Sequence, residues 1–256
     1  MENDEVLIIE RDLDIVTLTM NRPPANALSN ELVSRLLDAI RALSAQASPP
    51  GIVLTGRGDR FFSAGGDIKE VAGIEISRPR MRSFHEFLCE MERYPGPLVC
   101  AVRGYAVGGA LEFLLHADYV VANRECKTGF PEINHGLLPA AKGMRQAVQR
   151  LGVREAQVLL YWGELIDAQK ALEIGAINEI TATADVKGRA LEVCKELRGK
   201  EQKLFAAIKR SLNLTGQMDD ASLEAMTIND LGAYLTENSS AAARARFLSK
   251  NSRKRE

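Results

Sequence analysis

The sequence predicts an α/β fold that ends in an all-helical region, and three observations carry that expectation. Short apolar runs such as Gly51-Ile-Val-Leu-Thr-Gly56 and Leu98-Val-Cys-Ala-Val102 alternate with segments of helical periodicity through the first two-thirds of the chain. Glycine turns follow strands at Ala64-Gly65-Gly66-Asp67 and at Gly104-Tyr-Ala-Val-Gly-Gly109. After about Asp185 every periodic segment reads as helix. Alternation of this kind needs crossover connections. The chain therefore divides into a core over residues 1–184 and a helical region over residues 185–256. No Pro/Gly/Ser-rich linker separates them, so the second is an appended lobe.

Val6–Glu10 and Ile15–Met20 read as a hairpin around the charged turn Arg11-Asp-Leu-Asp14, and Asn21-Arg-Pro-Pro24 breaks the pattern. Ser29 caps a helix carrying Leu32, Leu36, Ile40 and Leu43 at helical spacing. Gly51–Gly56 is a buried strand. A helical pattern from Pro79 to Arg93 stops at Pro95-Gly-Pro97. The strand Pro97–Val102 then leads through a glycine turn into a helix from Gly109 to His116, followed by a strand Tyr119–Ala122. Helices are expected over Val186–Leu197, Gln202–Leu214, Ala221–Tyr234 and Ser240–Leu248.

The bulk properties exclude several functions. A formal net charge of −1 offers nothing to a nucleic acid or an anionic membrane, and 5% aromatic residues is too few for base-stacking platforms. The four cysteines show no CxxC spacing, so they read as reduced thiols. The acidic start Met1-Glu-Asn-Asp-Glu-Val6 is unlike a leader peptide. No apolar run approaches the ~18 residues of a membrane span. The expectation is a cytoplasmic protein without metal or nucleic-acid partner.

Two glutamates stand out. Glu112 sits in Gly108-Gly-Ala-Leu-Glu112-Phe, an apolar helical stretch where a buried carboxylate needs a partner or a task. His116, one turn on, is a candidate partner. Glu132 follows Pro131 in a non-helical stretch. Two carboxyls sharing one site cannot both ionise easily, so one can act as acid and the other as base. The turns at Gly66 and Gly109 either offer unpaired N–H groups to an oxygen or only let strand and helix pack closely.

Together these residues closely resemble the enoyl-CoA hydratase/isomerase (crotonase) superfamily. The resemblance runs through Asn21-Arg-Pro-Pro-Ala-Asn-Ala-Leu28, Phe62-Ser-Ala-Gly-Gly-Asp-Ile-Lys69, Gly104 to Glu112, Pro131-Glu132 with Gly136-Leu-Leu-Pro139, and Arg246-Phe247-Leu-Ser-Lys250. It implies a crotonase-like spiral of β-β-α units with C-terminal helices that build a trimer or a dimer of trimers. It implies an acyl-CoA substrate and no separate cofactor, coenzyme A being part of the substrate. The thioester oxygen would lie between the N–H groups of Gly66 and Gly109. The Glu132 position would exchange the proton at C2, and the Glu112 position would activate the water added at C3. Ala25, Ala64, Asp67, Ile68, Lys69 and Ala140 would contact substrate, and Phe247 and Lys250 would reach the nucleotide end.

Retention of both glutamates points to an enoyl-CoA hydratase, a lyase. Rival activities are a Δ3,Δ2-enoyl-CoA isomerase and a carnitinyl-CoA dehydratase-like enzyme, and the rival of another class is a silent assembly subunit. Departures from the common hydratase pattern are Pro24 in place of a lysine, Phe130 in place of a polar residue, and Ala140 and Lys142 in place of glycines. Ala140 keeps its N–H, which preserves water positioning if its φ is negative.

Overall fold

A computed structural model of the chain describes residues 5–70, 73–236, 240–242 and 244–245. The chain divides into two compact units between Gly199 and Lys200. In the first, strand β1 (Leu7–Asp12) pairs antiparallel with β2 (Ile15–Met20), the expected hairpin, and helix α1 (Asn30–Ser44) follows. Ser29 caps α1 by accepting the Leu32 N–H at 3.2 Å.

Three repeats of strand, short strand and helix come next. They are β3 (Gly51–Gly56), β4 (Phe61–Ser63) and α2 (Ile74–Arg93); β5 (Leu98–Val102), β6 (Tyr105–Val107) and α3 (Gly109–His116); and β7 (Tyr119–Asn123), β8 (Lys127–Gly129) and α4 (Ala141–Trp162). Strand β9 (Ile166–Asp167), helix α5 (Ala168–Glu173), strand β10 (Glu179–Thr181) and helix α6 (Val186–Arg198) complete the unit. The first strand of each repeat enters a six-stranded sheet of order β1-β2-β3-β5-β7-β10. The second enters a four-stranded sheet of order β4-β6-β8-β9. This is the spiral of β-β-α units that the sequence implied.

Pairing from β2 through β10 in the larger sheet is parallel. Its inner strands β3 and β5 are buried at every residue, as a sheet covered on both faces requires. Side chains alternate between the faces. Ile52 and Leu54 of β3 join the larger core with Leu32, Leu36 and Ile40 of α1 and Leu88 and Met91 of α2. Val53 turns the other way, with Val99, Ala101 and Val121, against Val186, Ala190, Val193 and Cys194 of α6. Helix α6 therefore belongs to the sheet, and the first unit runs to Gly199 where the sequence pattern had placed a boundary at residue 184. A change from mixed to all-helical pattern marks composition, and packing decides where a core ends.

Helix α2 starts at Ile74, ahead of the expected Pro79, which is accommodated inside it. All four cysteines are free thiols. In the second unit α7 (Gln202–Leu214) and α8 (Asp220–Leu235) pack together, with an Arg210–Asp230 ion pair between them. Ile208, Leu212, Ile228, Leu231 and Leu235 remain exposed. Of the helix expected over residues 240–248, residues 240–242, 244 and 245 are helical, and the other four positions lie outside the described residues. Among the described residues no helix is long and apolar enough to cross a membrane.

Candidate active site

Two glycine turns press together at the end of the smaller sheet. After β4, the Leu28 N–H donates to the Gly65 carbonyl at 2.8 Å and the Asp67 N–H donates to the Leu28 carbonyl at 3.2 Å. This bridge leaves out the N–H of Gly66 itself. Gly65 has φ +84, and a Cβ there would stand 2.4 Å from the Val107 carbonyl oxygen and 3.4 Å from the Gly109 nitrogen. Only glycine allows so close an approach. Gly109 is the first residue of α3, so its N–H has no acceptor within the helix. Gly66 and Gly109 line one cavity of about 430 Å³.

Both glutamates face that cavity. Glu112, on a helix buried at every residue, is 1% exposed. Its Oε1 accepts the Ala140 N–H at 3.0 Å. On its other side Gly143, in the first turn of α4, leaves room for the carboxyl: a Cβ there would be 2.3 Å from Glu112 Oε2. Burial pushes the Glu112 pKa up to about 8, with the charge of Glu132 acting in the same direction and the Ala140 and Gly143 N–H groups opposing. Glu132 lies on a 3-10 turn, Pro131–His135, in a stretch that the sequence had suggested was non-helical. Its Oε1 rests 2.5 Å from where a Cβ of Gly108 would be. Burial raises its pKa also. Among the described residues neither Glu112 Oε2 nor Glu132 Oε2 has a hydrogen-bond partner. Two carboxyls with raised pKa values and an uncommitted oxygen each, brought to one cavity, make this the candidate functional site.

His116, the candidate partner that the sequence offered, does not meet the Glu112 carboxyl. Its Nδ1 lies 2.6 Å from the Glu112 backbone oxygen, and its Nε2 stands 3.7 Å from Glu92 Oε1. Glu92 also pairs with the buried Lys142. One helical turn aligns Cβ atoms, but the imidazole folds back onto the helix. Burial drives the His116 pKa down to about 4.

Of the other residues singled out from sequence, Ala64, Ile68 and Ala140 line the cavity, whereas Ala25, Asp67 and Lys69 are not in its wall. The Asp67 carboxylate serves the turn, 2.6 Å from Arg22 Nη2 and accepting the Lys69 N–H at 3.0 Å. Burial opposes its charge, yet these contacts outweigh it and hold its pKa below the ordinary value. Ala140 has φ −61, meeting the condition set for it, and its N–H is spent on Glu112. Phe247 and Lys250 lie outside the described residues. Sequence reasoning missed Gly143 and the α2 residues Ser77, Arg80, Met81 and Phe84. Gly143 directly follows the Pro139-Ala-Ala-Lys142 segment and could have been noticed; nothing in sequence marks which face of α2 meets a cavity.

Fold and site together define a class: α/β proteins that gather a carboxyl pair and two glycine turns around one cavity, residue types suited to moving protons beside a polarised carbonyl. The chain belongs to the enoyl-CoA hydratase/isomerase family, whose model matches residues 10–254. It is 30% identical over 220 residues to a 2,3-dehydroadipyl-CoA hydratase of Escherichia coli, covering 86% of this chain and 85% of the relative. A probable enoyl-CoA hydratase of Bacillus subtilis is 32% identical over 192 residues, covering 74% of this chain and 73% of that one. An enoyl-CoA hydratase structure from Mycobacterium smegmatis superposes with a TM-score of 0.90 at 25% identity, over 96% of this chain and 97% of that one.

Proposed function

We propose that the protein is a 2-enoyl-CoA hydratase, adding water reversibly across the double bond of an enoyl thioester to give a 3-hydroxyacyl-CoA. The observation that carries this reading is the presence of Glu112 and Glu132 in one cavity with the Gly66 and Gly109 turns. The thioester oxygen accepts from the two glycine N–H groups. Water, held by Glu112 Oε2, gives a proton to that carboxylate as its oxygen bonds to C3. The π electrons move onto the thioester oxygen as an enolate, which then takes a proton at C2 from Glu132. The elements of water are thereby added with no redox change. The pair titrates as a unit holding one proton, and the reactive form for hydration carries it on Glu132. Apolar wall residues, Leu28, Val33, Met81, Phe84 and Leu138, surround the acyl group.

The test is a panel of 2-enoyl-CoA and 3-enoyl-CoA thioesters with the purified protein, followed by mass spectrometry. A gain of one water from a 2-enoyl-CoA is expected. Conversion of a 3-enoyl-CoA to the 2-isomer with no hydration would replace the reading by an isomerase, and no conversion at all would favour a silent subunit.

The exposed apolar residues of α7 and α8 support a closed homo-oligomer, a trimer or a dimer of trimers. Light scattering at micromolar concentration tests this, and a stable monomer mass would overturn it. Lys69, exposed beside the Gly66 turn, would meet the coenzyme A portion of the substrate.

A further inference from the structure

We propose that Arg80 is a third, charged element of the oxyanion site and carries part of the stabilisation of the enolate. The proposal rests on the hydratase reading above, with the enolate oxygen between Gly66 and Gly109.

Helix α2 buries Phe87, Leu88 and Met91 near its C-terminal end. Further toward its start it runs along the cavity, to which it contributes Ser77, Arg80, Met81 and Phe84. Among the described residues of that wall, Arg80 supplies the one arginine or lysine. Its Nη2 donates to the Leu28 carbonyl at 3.2 Å, the same carbonyl that accepts the Asp67 N–H. A Cβ on Gly66 would lie 3.0 Å from that nitrogen. The guanidinium therefore lies against the Gly66 turn. An oxygen accepting from the Gly66 N–H at about 3 Å falls within about 8.5 Å of Nη2 whatever its direction.

The Arg80 side chain is 16% exposed, so little water screens its charge. Glu70 stands 3.8 Å from Arg80 Nε, while its Oε2 accepts the Asn30 N–H at 2.8 Å. That geometry steadies the guanidinium without closing a short ion pair on it. The electrostatic need is plain. Two backbone N–H groups bring no net charge, and the enolate forms in a cavity that also holds two carboxyls. A fixed cation beside one donor offsets that repulsion at the oxygen where charge grows.

Acetoacetyl-CoA serves as the probe, because its C2 proton is acidic enough for the bound ligand to interconvert between keto and enolate forms. The enolate is read by its near-ultraviolet absorbance as pH is varied. Arg80→Met and Arg80→Gln are expected to lower the bound enolate-to-keto ratio at a given pH about tenfold or more. Arg80→Lys, which keeps the charge, retains most of the ratio. In parallel, kcat for hydration should fall about 10- to 100-fold in Arg80→Met, with KM for the enoyl-CoA little changed. An unchanged enolate ratio in the Met and Gln variants overturns the proposal and leaves the hydratase reading standing. So does a Lys variant as impaired as Met, since contact rather than charge would then be at work. If the wild-type protein binds no enolate, the oxyanion reading fails and this inference with it.

Discussion

Glu112 and Glu132 face one cavity from supports of different kinds. Glu112 leaves the middle of α3, a helix buried along its whole length, and its carboxyl is tied to the Ala140 N–H on one side and fitted to Gly143 on the other. Glu132 leaves a single 3-10 turn with no fully buried residue, and its carboxyl lies on Gly108, held at φ +58. Burial raises the pKa of both. One acid is positioned by packing and a hydrogen bond, the other by a backbone conformation that L residues rarely adopt. Equivalent chemistry can thus be exposed to different kinds of damage.

The largest effects should come from the carboxyls themselves. Glu112→Gln and Glu132→Gln are each expected to lower kcat for crotonyl-CoA hydration on the order of 10³-fold, with the double variant little worse than the poorer single one. Exchange of the C2 hydrogens of butyryl-CoA with deuterated solvent separates the roles. Glu112→Gln should keep that exchange and Glu132→Gln should lose it; the reverse pattern would swap the assignments.

Smaller effects should come from the glycines that fit the two acids. Gly143→Ala puts a Cβ 2.3 Å from Oε2 and Cδ and 2.4 Å from Cγ of the buried Glu112; it should cut kcat about 10²-fold and, through overpacking of about 1–3 kcal/mol, lower Tm by roughly 2–12 °C. Gly108→Ala combines a Cβ 2.5 Å from Glu132 Oε1 with φ +58. It should lose activity similarly and also lower Tm by roughly 2–8 °C, from a backbone cost of about 1–2 kcal/mol. Glu112→Ala added to Gly143→Ala should restore most of the lost Tm, whereas Glu132→Ala added to Gly108→Ala should not; equal recovery would erase the distinction between the supports.

The mildest effect is on stability against pH. Burial pushes Glu112 up to about 8 from an ordinary 4.5, so the folded state binds the extra proton between those values and stability falls as pH rises through that window. His116 is shifted from 6.5 to about 4, so the unfolded state binds the extra proton there and stability falls as pH drops through that window. Thermal melts from pH 4 to 9 should therefore show Glu112→Gln removing the loss of stability, roughly 5 °C in Tm, that builds up as pH rises from 4.5 to about 8. A change confined to pH below 4.5 or above 8 would contradict the assignment of the raised pKa to Glu112.

Much of this was legible in the sequence. The hairpin, the Ser29 cap, the strand Gly51–Gly56 and the helix Gly109–His116 follow from local pattern, and the structure has each of them. The four-stranded sheet was not legible, because strands as short as Tyr105–Val107 and Lys127–Gly129 leave too few residues for alternation to show. The start of α2 was misplaced because Pro79 reads as a boundary, whereas here it lies inside the helix. The attachment of α6 was hidden as well, since an amphipathic helix does not reveal which apolar surface it will cover.

The sequence by itself determined the inventory of chemistry: two glutamates in short motifs, two glycine turns behind strands, and a parallel α/β core to hold them. Tertiary structure decided the relations among them. It gave Glu112 the Ala140 N–H rather than His116, turned Asp67 to Arg22 rather than into the cavity, and laid Arg80 against Gly66. Local pattern records what each residue prefers along the chain. Which groups meet across 28 residues, as Glu112 and Ala140 do, depends on how sheets and helices pack, and burial then sets the ionisation of whatever has been brought together.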